Sequence, residues 1–258
     1  MTTSIQVENV TKKFTMQYHR TLKQMAVASV RRLALQEQFL AVNDVSFSVE
    51  QGEAIGLMGL NGSGKSTLLK LINGVMRPDV GSIRTRGRIA GLIATGAGFH
   101  PQLTGRENLF LNGAILGMGE AEIKRKFDAI VDFADIGKFM DTPVSHYSSG
   151  MYARLGFSVA IHVDADIFLA DEVLAVGDRP FKRKCMEKMQ EVRRQGTTIF
   201  YVSHATASVR AMCDRVLVLE SGHLNFDGDV DEGIRYLQYD DPDDTEESDA
   251  DAELGSEV

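Results

Sequence analysis

Eight residues, Gly59-Leu60-Asn61-Gly62-Ser63-Gly64-Lys65-Ser66, constrain this chain more than any other stretch. They fit the pattern G-x-x-x-x-G-K-[ST], in which glycines let the backbone curl until several N–H groups point at one anion. Residues 54–58 before them form a short apolar run that reads as a strand, and residues 67–72 after them read as a helix. That context gives the pattern its meaning, because the helix start presents partial positive charge to the same anion. Lys65 is then expected to neutralise β- and γ-phosphates and Ser66 to ligate Mg²⁺. Gly59, Asn61, Gly62, Ser63, Gly64 and Thr67 are expected to line the cradle.

A second run completes the chemistry. Ile167-Phe168-Leu169-Ala170 is apolar throughout and ends in Asp171-Glu172. A buried strand thus delivers two carboxylates at its C-terminal end, where open α/β sheets bind their ligands. Asp171 is the expected Mg²⁺ ligand, through water, and Glu172 the general base that orients the attacking water. Apolar runs followed by two acids are common. The phosphate loop 106 residues earlier makes this one specific.

Other segments set the fold class. Residues 5–10 and 45–49 alternate as strands, and 198–202 and 215–219 read as further strands. Residues 107–140, 151–163 and 178–195 have helical patterns, the last ended by Gly196. Strands alternating with helices predict an α/β protein with a largely parallel core sheet. Residues 15–40 break the strand rhythm. Leu22, Met25, Val30 and Leu33 recur near helical spacing beside Arg20, Lys23, Arg31 and Arg32, which predicts a basic amphipathic insertion.

Charge is unevenly spread. The chain of 258 residues carries a net charge of −8, but residues 240–258 hold ten carboxylates and no basic residue, so the rest stands at +2. The acidic tail is too polar to bury a core and is expected to be disordered. A nearly neutral body argues against nucleic acid as a partner. No run reaches the roughly 18 apolar residues that a spanning helix needs. The first residues lack the basic-then-apolar order of a signal peptide. The chain is therefore expected in the cytoplasm, with Cys185 and Cys213 as two free thiols.

With both nucleotide motifs in place, the chain resembles the ABC transporter ATPases. Their signature, usually LSGGQ, is matched by Tyr147-Ser148-Ser149-Gly150-Met151, with Gly150 21 residues before Asp171. The resemblance implies a RecA-like phosphate-loop core with an N-terminal antiparallel β-subdomain and an inserted helical subdomain of about residues 95–164. It also implies ATP and Mg²⁺ as ligands, and a head-to-tail homodimer. In that dimer Ser149 and Gly150 of one copy clasp the γ-phosphate held by the other. His204, 32 residues after Glu172, resembles the switch histidine on γ-phosphate. Asp178, in Ala-Val-Gly-Asp, is similar to the aspartate that spans the dimer interface. Phe14 stands where the family places a ring against adenine, with Tyr18 as the alternative. The family's usual glutamine maps to Thr95. Gln102 comes later in the chain, so that role is assigned to no residue.

The runs Gly96-Ala97-Gly98-Phe99-His100 and Leu103-Thr104-Gly105-Arg106-Glu107-Asn108 resemble one branch, the ATPases that export O-antigen, capsule, teichoic acid or galactan. The branch implies two copies of a membrane permease, a lipid-linked glycan as cargo and a place on the cytoplasmic face of the inner membrane. Residues 99–108 are expected to receive a cytoplasmic helix of the permease. The acidic ending suggests the short form, without a carbohydrate-binding domain. An exporter of lipids or drugs is the nearest alternative. A soluble ABC protein of DNA repair or translation lacks its usual paired cassettes here, and a small-molecule kinase leaves the signature and His204 without a task.

Overall fold

A computed structural model describes residues 2–17, 36–92, 98–171 and 178–237. Tyr18, most of the amphipathic segment, Thr95, Glu172 and the acidic tail lie outside the described residues.

Two sheets form the frame. Strands β1 (Thr3–Gln17), β2 (Gln36–Glu50) and β4 (Val80–Thr85) make an antiparallel sheet in the order β2-β1-β4. Strands β3 (Ala54–Met58), β5 (Ile89–Leu92), β6 (Ile167–Ala170), β7 (Thr198–Val202), β8 (Arg215–Glu220) and β9 (His223–Gly228) make the second, in the order β5-β6-β7-β3-β8-β9. All its neighbours run parallel except β8 and β9.

Alternation along the central strands decides which layer each residue meets. Ile55, Leu57, Ile167, Leu169, Phe200, Val202, Leu217 and Leu219 join the core beneath the antiparallel sheet and helix α1 (Lys65–Ile72). Their neighbours Ala54, Met58, Phe168, Ala170, Ile199, Tyr201, Val216 and Val218 face the opposite core. Strands buried on both faces carry no polar alternation, which is why these runs read as continuous apolar stretches. Phe47 stacks on Phe200 at 6.0 Å and joins the two sheets.

The opposite core is built by helices. α2 (Gly105–Ile115), α3 (Glu120–Ala134) and α4 (Ser149–Ile161) lie between β5 and β6 in the chain. α5 (Arg179–Arg194), α6 (Thr206–Met212) and α7 (Val230–Leu237) follow. Phe133 meets Phe157 and Phe181, tying α3, α4 and α5 together. Cys185 and Cys213 are buried and free. Among the described residues no helix is long and apolar enough to cross a membrane.

Both ends of the expected insertion, residues 15–40, are strand, and residues 18–35 lie outside the described residues. Phe14 pairs with Phe39, Thr15 with Gln38 and Gln17 with Gln36, so 15–17 and 36–40 are strand. The ladder supplies their backbone partners whatever their side-chain rhythm, because main-chain pairing is blind to sequence. Strands β4, β5 and β9 are also additions to the sequence reading.

One buried polar side chain organises the entrance to α2. Asn108 is fully buried; its carbonyl accepts from the His100 N–H at 2.6 Å, and its amide donates to the carbonyls of His100, Leu103 and Thr104. Asn108→Ala strands these groups and should cost about 2 kcal/mol, lowering the melting temperature by roughly 4–8 °C. Differential scanning calorimetry checks this, and a shift under about 1 °C refutes the hub.

Candidate active site

The phosphate loop leaves β3 at the C-terminal edge of the parallel strands. Gly59 and Gly64 hold φ of 142° and 108°, a region that side chains resist. A Cβ on Gly59 would lie 2.1 Å from the Leu219 carbonyl, and one on Gly64 would lie 2.1 Å from the Ala41 carbonyl. The loop is therefore held between the end of β8 and the edge of β2. The Gly222 N–H donates to the Ser63 carbonyl at 2.9 Å and secures it from below.

Several groups here could hold an anion. No side chain caps the start of α1. The Ser63 hydroxyl is buried and has no hydrogen-bond partner among the described residues. Lys65 curls back, donating to the carbonyls of Gly59 at 2.7 Å and Leu60 at 3.1 Å. Burial lowers its pKa, opposed by the charge of Asp171.

A cavity of about 240 Å³ sits against this loop. Asn61, Gly62, Gly64, Lys65, Ser66, Thr67 and Asp171 line it, so strand β6 brings its acid to the loop across 106 residues of chain. Gly59 and Ser63 shape the loop but do not line the cavity. Burial raises the pKa of Asp171, and the charges of Lys65, Lys70 and His204 pull it back. His204 acts on Asp171 because it follows β7, the strand beside β6. A larger cleft of about 410 Å³ lies between Lys126, the 161–166 turn and the end of α5. Its lysines are already paired, Lys126 with Asp164 at 2.6 Å and Lys188 with Glu191 at 2.9 Å, and no glycine loop reaches it.

Three predicted residues lie elsewhere. Ser149 and Gly150 open α4, where Ser148 caps the helix by accepting from the Met151 N–H at 3.2 Å. Ser149 is exposed, and neither residue lines the cavity of its own chain. Asp178 is exposed at the start of α5 and accepts from Arg154 of α4 at 2.6 Å. That hydrogen bond holds its carboxyl below the usual range.

Phe39 lines the cavity, and Phe14 does not. The two are paired across β1 and β2, so both rings stand on one face, with Phe14 one strand farther away. They are 37% and 45% exposed for Phe14 and Phe39. Ending the strand pattern at residue 15 hid Phe39. The cue was the second apolar run, Phe39-Leu40-Ala41-Val42, on the far side of the amphipathic segment.

A glycine-lined loop between a buried strand and a helix, faced by an acid from a nearby strand end, defines a phosphate-loop nucleotide-binding protein. Residues 42–175 match the family model described as ABC transporter. The chain is 44% identical over 224 residues to the O-antigen export system ATP-binding protein RfbB of Klebsiella pneumoniae, covering 85% of this chain and 91% of that one. It is 51% identical over 191 residues to the ABC transporter protein AbcA of Aeromonas salmonicida, covering 74% of this chain and 62% of that protein. It is 44% identical over 232 residues to the teichoic acids export ATP-binding protein TagH of Bacillus anthracis, covering 90% of this chain and 42% of that protein. A solved ATP-binding subunit of an ABC transporter superposes with a TM-score of 0.72 at 24% identity, covering 91% of this chain and 93% of that one. A dimeric ATP-binding cassette bound to ADP and phosphate superposes with a TM-score of 0.70 at 21% identity, covering 88% of this chain and 98% of that one. This chain belongs to the ABC transporter family.

The raised pKa of Asp171 has a consequence for stability. Its folded value exceeds the ordinary 3.8, so stability falls as pH rises from there through the raised value, and the deficit persists above it. Asp171→Asn removes this penalty. Without nucleotide, the melting temperature of Asp171→Asn minus that of the wild type should increase over that window and then level off. A difference that stays flat from about pH 3 to pH 8 contradicts burial as the cause.

Proposed function

We propose that this chain is the ATP-binding and ATP-hydrolysing subunit that powers export of a lipid-linked cell-surface polysaccharide through a partner permease, from the cytoplasmic face of the inner membrane. The observation that carries this reading is the meeting of Lys65, Ser66 and Asp171 at one cavity, beside a loop whose buried Ser63 hydroxyl has no partner among the described residues. The export functions named for the Klebsiella and Bacillus relatives support the cargo class.

The residues present fit ATP with Mg²⁺. Among the described residues no group of three or more His, Cys, Asp or Glu side chains forms a cage for a metal ion. Ser66 and Asp171 supply hard oxygen donors from the protein, and phosphate oxygens complete such a site well. Mg²⁺, when bound, supplies charge neutralisation across the β- and γ-phosphates.

In this proposal Lys65 leaves the Gly59 and Leu60 carbonyls for the phosphates and exchanges neutral acceptors for charged ones. Ser63 and the N–H groups at the start of α1 hold the β-phosphate. Glu172, next after Asp171, polarises the attacking water, and His204 contacts the γ-phosphate. The exposed turn at Ser149 and Gly150 serves a second copy of the chain, so two copies enclose two ATP molecules. Asp178 stands at that interface. Catalysis is chiefly positioning and charge stabilisation. Phe39 takes the adenine face, and Phe14 extends the same surface.

Two measurements test this. Glu172→Gln should cut turnover by at least about 10²-fold and accumulate an ATP-bound dimer in sedimentation; turnover at the normal rate would remove Glu172 from its role. Phe39→Ala should weaken ATP binding by about tenfold, within the 1–3 kcal/mol range for stacking on a base, and more than Phe14→Ala does. The reverse order in calorimetric titration returns the adenine to Phe14.

A further inference from the structure

The runs Leu103-Thr104-Gly105-Arg106-Glu107-Asn108 and Tyr147-Ser148-Ser149-Gly150-Met151 are separate in sequence and form one unit in the fold. Four backbone hydrogen bonds join their surroundings. The N–H of Ser145 donates to the Pro101 carbonyl at 3.0 Å and that of Val144 to Leu103 at 3.0 Å. The N–H of Gly105 donates to Thr142 at 3.2 Å and that of Arg106 to Met140 at 2.9 Å. Asn108 fixes the 100–104 backbone to α2 from within. The segment before α4 is therefore tied to the loop before α2.

Tyr147 closes the connection. Its hydroxyl donates to the Phe139 carbonyl at 2.8 Å. Its ring tip lies over the bare backbone of Gly105, where a Cβ would come 2.0 Å from the Tyr147 hydroxyl oxygen and 3.1 Å from Cζ. The next neighbour is the flexible Met140 sulfur at 3.3 Å. Gly105 has no positive φ, so its missing side chain answers to the tyrosine and not to backbone conformation. Of the atoms around that Cβ position the tyrosine hydroxyl is by far the nearest. A tyrosine at 147 and a glycine at 105 are thus one steric pair. Tyr147 is also bonded directly to Ser148, the cap of α4.

We propose that Tyr147 is a positioning residue, which locks the 148–150 turn onto the 100–106 loop so that both move as one body. This rests on the reading that the turn of one copy completes the nucleotide site of another. A displacement of the loop then carries Ser149 and Gly150 with it, because the tyrosine leaves no slack between them.

Size complementation tests the lock in the full chain. Gly105→Ala should lower kcat for ATP hydrolysis by about 10²-fold, as expected for a misplacement of roughly 1 Å, with KM for ATP within about twofold. Tyr147→Leu alone should lose severalfold, because it removes the tie to Phe139. The Gly105→Ala/Tyr147→Leu double variant should return to the Tyr147→Leu level, since leucine ends short of the new methyl group. A double variant as slow as Gly105→Ala, a Gly105→Ala rate equal to wild type, or an equal change in KM overturns the proposal. Tyr147→Phe serves if Gly105→Ala does not fold: severalfold slower turnover at an unchanged melting temperature supports the lock, and unchanged turnover overturns it. The concentration dependence of the wild-type rate tests the two-copy reading separately, so the two failures are told apart.

Discussion

The site depends on a backbone approach that only glycine permits. Gly59 and Gly64 let the phosphate loop pass between the Leu219 carbonyl and the Ala41 carbonyl with no room for a methyl group. This contact joins three distant parts of the chain, β2, the loop and β8, at one point. It sets the direction of α1, and with it the anion-attracting end of that helix. The antiparallel sheet is thus part of the site, since its edge forms one wall of the cavity through Phe39 and Ala41.

Around this point the protein keeps charge where charge is unfavourable. Burial pushes the pKa of Lys65 down and that of Asp171 up, and their mutual attraction compensates only in part. Neither shift helps the fold. In the proposed function both groups gain when phosphate and a cation enter, which is how a site prepares for a charged ligand ahead of its arrival. The Ser63 hydroxyl, buried and without a hydrogen-bond partner among the described residues, belongs to the same arrangement.

The helical layer answers a different need. Ser149 and Gly150 do not line the cavity of their own chain, and in the proposed function they serve a second copy. Arg154 ties α4 to Asp178, and Tyr147, just before α4, donates to the Phe139 carbonyl and lies over Gly105. The turn is held from both sides by contacts within its own chain.

Local chemistry made much of this legible in advance. The glycine loop and the 167–170 strand with its acid are each written in a few adjacent residues, because turn geometry and strand burial are local effects. The ring on the cavity wall was a different matter. Phe14 and Phe39 are alike in sequence, and which one meets the cavity depends on ladder register and on β2 lying nearer the loop. The extent of β1 and β2 was hidden for the same reason, since main-chain pairing does not need apolar alternation. The fit of Tyr147 over Gly105 also had no local sign. By itself the sequence determined the loop, the acid and the parallel core. Tertiary structure decided which ring stands at the cavity and which glycine makes room for which tyrosine, because those choices rest on distances between residues remote along the chain.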